Sequence, residues 1–170
     1  MKTRLSILPI VLLLLAARSV SAQSRDPFFT DFSVNYDAAY HESHDTSHAG
    51  AHVDIASTFK RDSPFIGPVG EVGFNRFNGG TVVSAMGGLR IRANVYKRIL
   101  PFAQVILGVY HCGVCGSNNL AVQRGGGVDF GRSDNKVRVR AQVDVRRVLD
   151  GVFGFNAVRF SVGIVLPLNK

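Results

Sequence analysis

The chain has 170 residues, a formal charge of +8, 46% hydrophobic residues, no tryptophan and two cysteines. This length suits one domain behind a leader, and two cysteines cannot staple a fold of this size, which excludes a disulfide scaffold. No stretch after residue 22 stays apolar for the roughly 20 residues that a membrane-spanning helix needs, which excludes a helical membrane protein.

Residues 1–22 read as a secretory signal peptide. Lys2 and Arg4 make a positive start, Leu5 to Ala17 an apolar middle, and Val20, Ser21 and Ala22 a small-residue cleavage site. Arg18 interrupts the apolar run, which argues against a retained anchor helix. The mature chain is expected to start at Gln23 and to form one domain over residues 23–170. Loss of Lys2, Arg4 and Arg18 lowers the formal charge from +8 to +5.

The domain alternates apolar and polar residues, the signature of β-strands, whose successive side chains leave on opposite faces. Phe32, Val34, Tyr36, Ala38 and Tyr40 alternate with Ser33, Asn35, Asp37 and Ala39 in a first strand. The polar loop HESHDTSHAG leads to a second, in which Val53, Ile55, Ser57 and Phe59 alternate with His52, Asp54, Ala56 and Thr58. After KRDSP, a glycine-rich third strand runs from Phe65 to Phe77, with Val72 and Phe74 opposed to Glu71, Gly73 and Asn75. Asn78, Gly79 and Gly80 signal a tight turn. The fourth strand, Thr81 to Arg92, sets Val83, Ala85, Leu89 and Ile91 against Ser84, Gly88, Arg90 and Arg92.

In the fifth strand Pro101, Ala103, Val105, Leu107 and Val109 oppose Gln104 and Gly108, with Phe102 and Ile106 on the second face. The loop HCGVCGSNN precedes a sixth strand, Leu120 to Phe130, where Gly125, Gly126 and Gly127 suggest a bend or bulge. The seventh, Lys136 to Val148, is the most regular: Val137, Val139, Ala141, Val143 and Val145 alternate with Arg138, Arg140, Gln142, Asp144 and Arg146. The last sets Val158, Phe160, Val162, Ile164 and Leu166 against Arg159, Ser161 and Gly163. Eight consecutive strands joined by short turns predict an all-β, eight-stranded antiparallel up-and-down barrel, which removes sheet edges by closing on itself.

Either face of such a barrel can be the inside. A soluble ligand carrier puts its apolar residues inside, and a transmembrane barrel puts them outside. Here the polar face mixes arginines and carboxylates with small residues, as a crowded interior requires. The apolar face is long enough to cross a bilayer as tilted strands. The expected lumen network comprises Asp37, Asp54, Glu71, Arg90, Arg92, Asp129, Arg138, Arg140, Asp144, Arg146 and Arg159. Buried charges of this kind must be paired, with Asp129 expected opposite Arg138 across a turn, and Asp37 meeting Arg159 where the first strand closes on the last.

The signal, the alternating strands, PFAQVILGVYH, GGGVDF and the terminal RFSVGIVLPL resemble the small outer-membrane β-barrels of Gram-negative bacteria, similar to the OmpA-like transmembrane domain and OmpX. The resemblance covers essentially the whole mature chain. It implies outer-membrane localisation, a structural or surface-interaction role, contact with outer-membrane lipid, and handling by periplasmic chaperones and the barrel-assembly machinery. It implies no cofactor and no nucleic-acid partner. One departure is the ending Leu168, Asn169, Lys170, where such barrels usually carry an aromatic residue; Phe160 supplies one within the strand.

The remaining motifs carry less. His41, His44, His48 and His52 offer metal-ligand chemistry, but the first three fall in the polar loop, with Gly50 before the fourth and no fixed geometry implied, so a solvated loop is the plainer reading. Cys112 and Cys115 have redox spacing without a helix or a second ligand pair, so a loop disulfide is favoured in an exported chain. Gly125 to Gly127 lack the strand-to-helix context of a phosphate loop. His41 and Ser43 are close in sequence but have no orienting third group, so no enzyme activity is expected. The alternatives are a secreted lipocalin-like binding barrel and, behind it, an outer-membrane lipid-modifying enzyme.

Overall fold

The computed structural model describes residues 28–41, 46–59, 65–77, 80–93, 98–113, 116–131, 137–149 and 155–168. The signal peptide, His44, Cys115 and Lys136 lie outside the described residues. The strands are β1 (Phe28–His41), β2 (Thr46–Phe59), β3 (Phe65–Phe77), β4 (Gly80–Arg92), β5 (Ile99–Cys112), β6 (Ser117–Phe130), β7 (Arg138–Leu149) and β8 (Phe155–Pro167). Each pairs antiparallel with the next, and β8 returns to β1 to close the barrel. Leu168 N–H donates to Thr30 C=O at 2.9 Å, fastening the last strand to the first beside the termini.

The register sets the tilt. Facing partners traced once around from Asp31, through Ala56, Val69, Gly88, Ile106, Gln123, Arg146 and Ala157, arrive at His41, ten residues further along β1. Such an offset requires strands inclined by roughly 35–45° to the barrel axis. One rim carries the hairpins β1–β2, β3–β4, β5–β6 and β7–β8. The other carries the termini and the remaining turns.

Alternation along each strand separates two chemistries. Val34, Leu107, Val139 and Val162 stand on the outer wall, Val162 with 62% of its surface exposed. Arg90, Arg140, Asp54 and Asp144 fill the interior, Arg140 with 0% exposed. Toward the hairpin rim the interior becomes apolar: Val82, Met86, Tyr110, Ala121 and Val148 belong to one buried cluster with Ile106.

Three local expectations change. The first hairpin is tighter than its polar composition suggests, because β1 runs to His41 and β2 starts at Thr46. The HCGVCGSNN segment is likewise mostly strand, with β5 ending at Cys112 and β6 starting at Ser117. The three glycines of β6 make no bulge, since pairing stays one to one from Leu120 to Phe130. They make room instead: a Cβ on Gly125 would stand 2.3 Å from Asp144 Oδ1, and one on Gly127 2.9 Å from Cζ of Phe102.

Candidate functional site

The most organised polar constellation is the barrel interior. Each contributing side chain occupies an inward position of a period-two strand, so the backbone ladder positions the network without any loop. Among the described residues all six carboxylates, Asp31, Asp37, Asp54, Glu71, Asp129 and Asp144, are buried, together with six arginines, Arg90, Arg92, Arg138, Arg140, Arg146 and Arg159. Opposite charges therefore balance one for one, as burial in a low-dielectric interior demands.

Near the terminal rim Arg92 Nη1 donates to Asp31 Oδ2, and its Nη2 lies 3.4 Å from Asp129. Arg138 Nη2 approaches Asp31 at 3.8 Å. One layer deeper, Arg140 grips Asp129 with two hydrogen bonds, Nε at 2.7 Å and Nη2 at 3.1 Å, while its Nη1 reaches Asp54 Oδ2 at 2.8 Å. Arg90 Nη1 donates to the other oxygen of Asp54 at 3.0 Å, and its Nε and Nη2 donate to Gln104 Oε1. The ring of Phe102 lies between these two arginines, 4.7 Å from the Arg90 guanidinium and 4.6 Å from that of Arg140. An aromatic face attracts a cation, more strongly when both are desolvated.

A second cluster lies toward the hairpin rim. Arg159 holds Glu71 in a fork, Nη1 to Oε1 and Nη2 to Oε2, both 2.8 Å, and its Nη2 also donates to Asp144 at 2.7 Å. Arg146 adds Nη2 to Glu71 Oε1 at 3.2 Å and Nε to Gln123 Oε1 at 2.8 Å, and lies over the Tyr110 ring at 5.8 Å. Gln104 joins the two clusters, accepting from Arg90 and donating to Asp144 at 3.4 Å. His52 lies at the same junction: Nδ1 is 2.7 Å from Asp37 Oδ1, and Nε2 is 3.9 Å from both Asp54 and Glu71.

The eleven network residues named from the sequence all face this interior. Two pairings were expected among them. Asp37 and Arg159 approach at 3.6 Å. Asp129 stands opposite Arg140 rather than Arg138, because the β6–β7 register is two residues out of step with that expectation. Asp31, Ser33, Gln104, Gln123 and Gln142 also belong to the network. Asp31 needed only one further step of the β1 alternation before Phe32, whereas Gln104 and Gln123 show their role only through partners on other strands, and Gln142 bonds Asp144 on its own strand at 2.7 Å.

The histidines separate. His52 stands on β2, as its alternation predicts, and is a buried partner of Asp37, while the backbone of His41 and His48 is strand, not loop. His52 Nε2 has no hydrogen-bond partner among the described residues, so no hydroxyl is held against it as a nucleophile. Cys112, buried at the end of β5, is disulfide-bonded. The outer wall is less free of charge than its composition suggests, since Arg76, Arg124 and Arg147 face outward and are exposed.

No protein-family model and no curated protein sequence matches the chain. Solved structures do. The chain resembles neisserial surface protein A with a TM-score of 0.60 at 11% identity, over 85% of this chain and 99% of that one. It resembles the outer membrane enzyme PagL with a TM-score of 0.55 at 13% identity, over 80% and 99%. At such identities the likeness is one of fold, and the fold is the eight-stranded antiparallel closed barrel of small bacterial outer-membrane proteins.

Proposed function

We propose that the protein is an outer-membrane barrel with a structural or surface-interaction role, its interior closed to diffusion by its own side chains. The observation that carries this reading is the inversion of faces. Aliphatic and aromatic residues cover most of the outer wall on all eight strands while paired charges fill the centre, and an apolar surface on that scale is a liability in water and a requirement in lipid. Arg140 and Arg159 reach across the lumen to carboxylates on other strands, which supports a plug rather than a pore. A lipocalin-like carrier is disfavoured because its ligand cavity would have to occupy this charged space.

Residues 1–22 would direct export, and periplasmic chaperones and the assembly machinery would deliver the barrel to outer-membrane lipid. PagL is described as an enzyme and shares the fold. We assign this chain no catalytic role, because the buried His52–Asp37 pair has no hydroxyl on the second imidazole nitrogen among the described residues.

Membrane fractionation followed by electrophoresis with and without boiling tests the proposal. The protein should partition with the outer membrane, need detergent for extraction and change mobility on heating. It should also give no stable conductance step in a planar bilayer. A water-soluble monomer with unchanged mobility would overturn the membrane reading, and a steady conductance would overturn the plug.

A further inference from the structure

Arg124 interrupts an otherwise apolar surface. It lies midway along β6, faces outward, and stands in register between Val105 and Val145. Arg147 also faces outward, one inward residue nearer the hairpin rim on β7, opposite Val122. The two arginines are thus diagonal neighbours on one face, a separation of roughly 7–8 Å. Neither has a carboxylate partner among the described residues, whose acidic side chains all point into the barrel. A groove of about 600 Å³ lies along the wall at Arg124, which lines it together with Leu89, Ile91, Ala103, Val105 and Val145, and it reaches Ile66 near the terminal rim.

We propose that this surface binds a phosphomonoester-bearing acyl lipid, with Arg124 and Arg147 on the phosphate and an acyl chain in the groove. The inference rests on the membrane reading above. An ionisable side chain facing lipid needs a partner, and the described residues offer none. The aliphatic stem of arginine lets its head rise toward the headgroup level, where the guanidinium fork matches phosphate oxygens. Two adjacent cations suit the charge of nearly −2 on a phosphomonoester better than the single charge of a phosphodiester. The groove descends from Arg124 toward the opposite rim, the direction an acyl chain takes from a headgroup held at Arg147.

The test is native mass spectrometry of the full mature barrel extracted in detergent and offered equal amounts of phosphatidic acid, phosphatidylglycerol and phosphatidylcholine. The wild type should retain phosphatidic acid in preference to the other two. R124Q and R147Q should each lower that retention by about tenfold, the worth of one charge-assisted contact. Ala103→Leu, which fills the groove without touching charge, should lower it as well. Electrophoretic heat shift checks folding of every variant, and the comparison of lipids on the wild type needs no variant at all. A heat-shifting barrel that retains the three lipids equally overturns the site while leaving the membrane reading intact. So does a dimer that covers Arg124. A soluble protein without the shift overturns the membrane reading itself.

Discussion

Arg159 of β8 and Glu71 of β3 clasp one another across the barrel, two parallel hydrogen bonds of 2.8 Å joining strands that are not neighbours in the sheet. Backbone ladders hold only adjacent strands, so a contact of this kind braces the cross-section. Its members are buried, and removing either one unbalances the lumen charge, leaving Arg159 with Asp144 or Glu71 with Arg146 as its remaining hydrogen-bonded partner.

Glu71→Gln should therefore destabilise the barrel by about 3–5 kcal/mol, the cost of breaking a buried pair from one side. Glu71→Gln combined with Arg159→Met should cost less than the two single changes added together, since the lumen charges then stay balanced. Urea unfolding in lipid vesicles, followed by the heat-dependent mobility shift, measures both.

Phe102 is held between Arg90 and Arg140 at 4.7 and 4.6 Å. Phe102→Leu keeps an apolar side chain but removes both cation–π contacts, and should cost about 1–3 kcal/mol. Ile106→Val, two positions along the same inward face, should cost about 0.5–1.5 kcal/mol. Comparing their unfolding midpoints separates the aromatic contact from loss of volume.

Gly125 and Gly70 differ in what a methyl group would meet. Gly125→Ala drives a Cβ to 2.3 Å from Asp144 Oδ1 and 2.3 Å from the Val143 carbonyl, whereas at Gly70 the nearest atom of a facing strand, Ile55 Cγ2, is 3.9 Å away. Gly125→Ala should sharply reduce the yield of the heat-shifted species. Gly70→Ala should fold as the wild type does.

Val162 stands midway along β8 on the outer wall with 62% of its surface exposed, and Leu168 stands at the terminal rim. If that wall meets lipid, Val162→Arg should cost about 2–4 kcal/mol and Leu168→Arg about 0–1 kcal/mol. Equal, negligible effects in vesicle-based unfolding would place the wall in water.

The primary structure alone determined the number of strands, their order and the parity of nearly every position. Period two is a local property of extended backbone, so Arg138, Arg140, Asp144 and Arg146 had to share one face of β7 and Val139, Val143 and Val145 the other. Tertiary structure decided which inward residues meet. Those distances depend on the register of every strand pair and on the ten-residue offset at closure, which no local pattern encodes. Hence Asp129 meets Arg140, Arg159 crosses to Glu71, and His52 leaves the histidine-rich segment for Asp37. The same closure isolates Arg124 on an apolar wall, because all the carboxylates among the described residues have been turned inward.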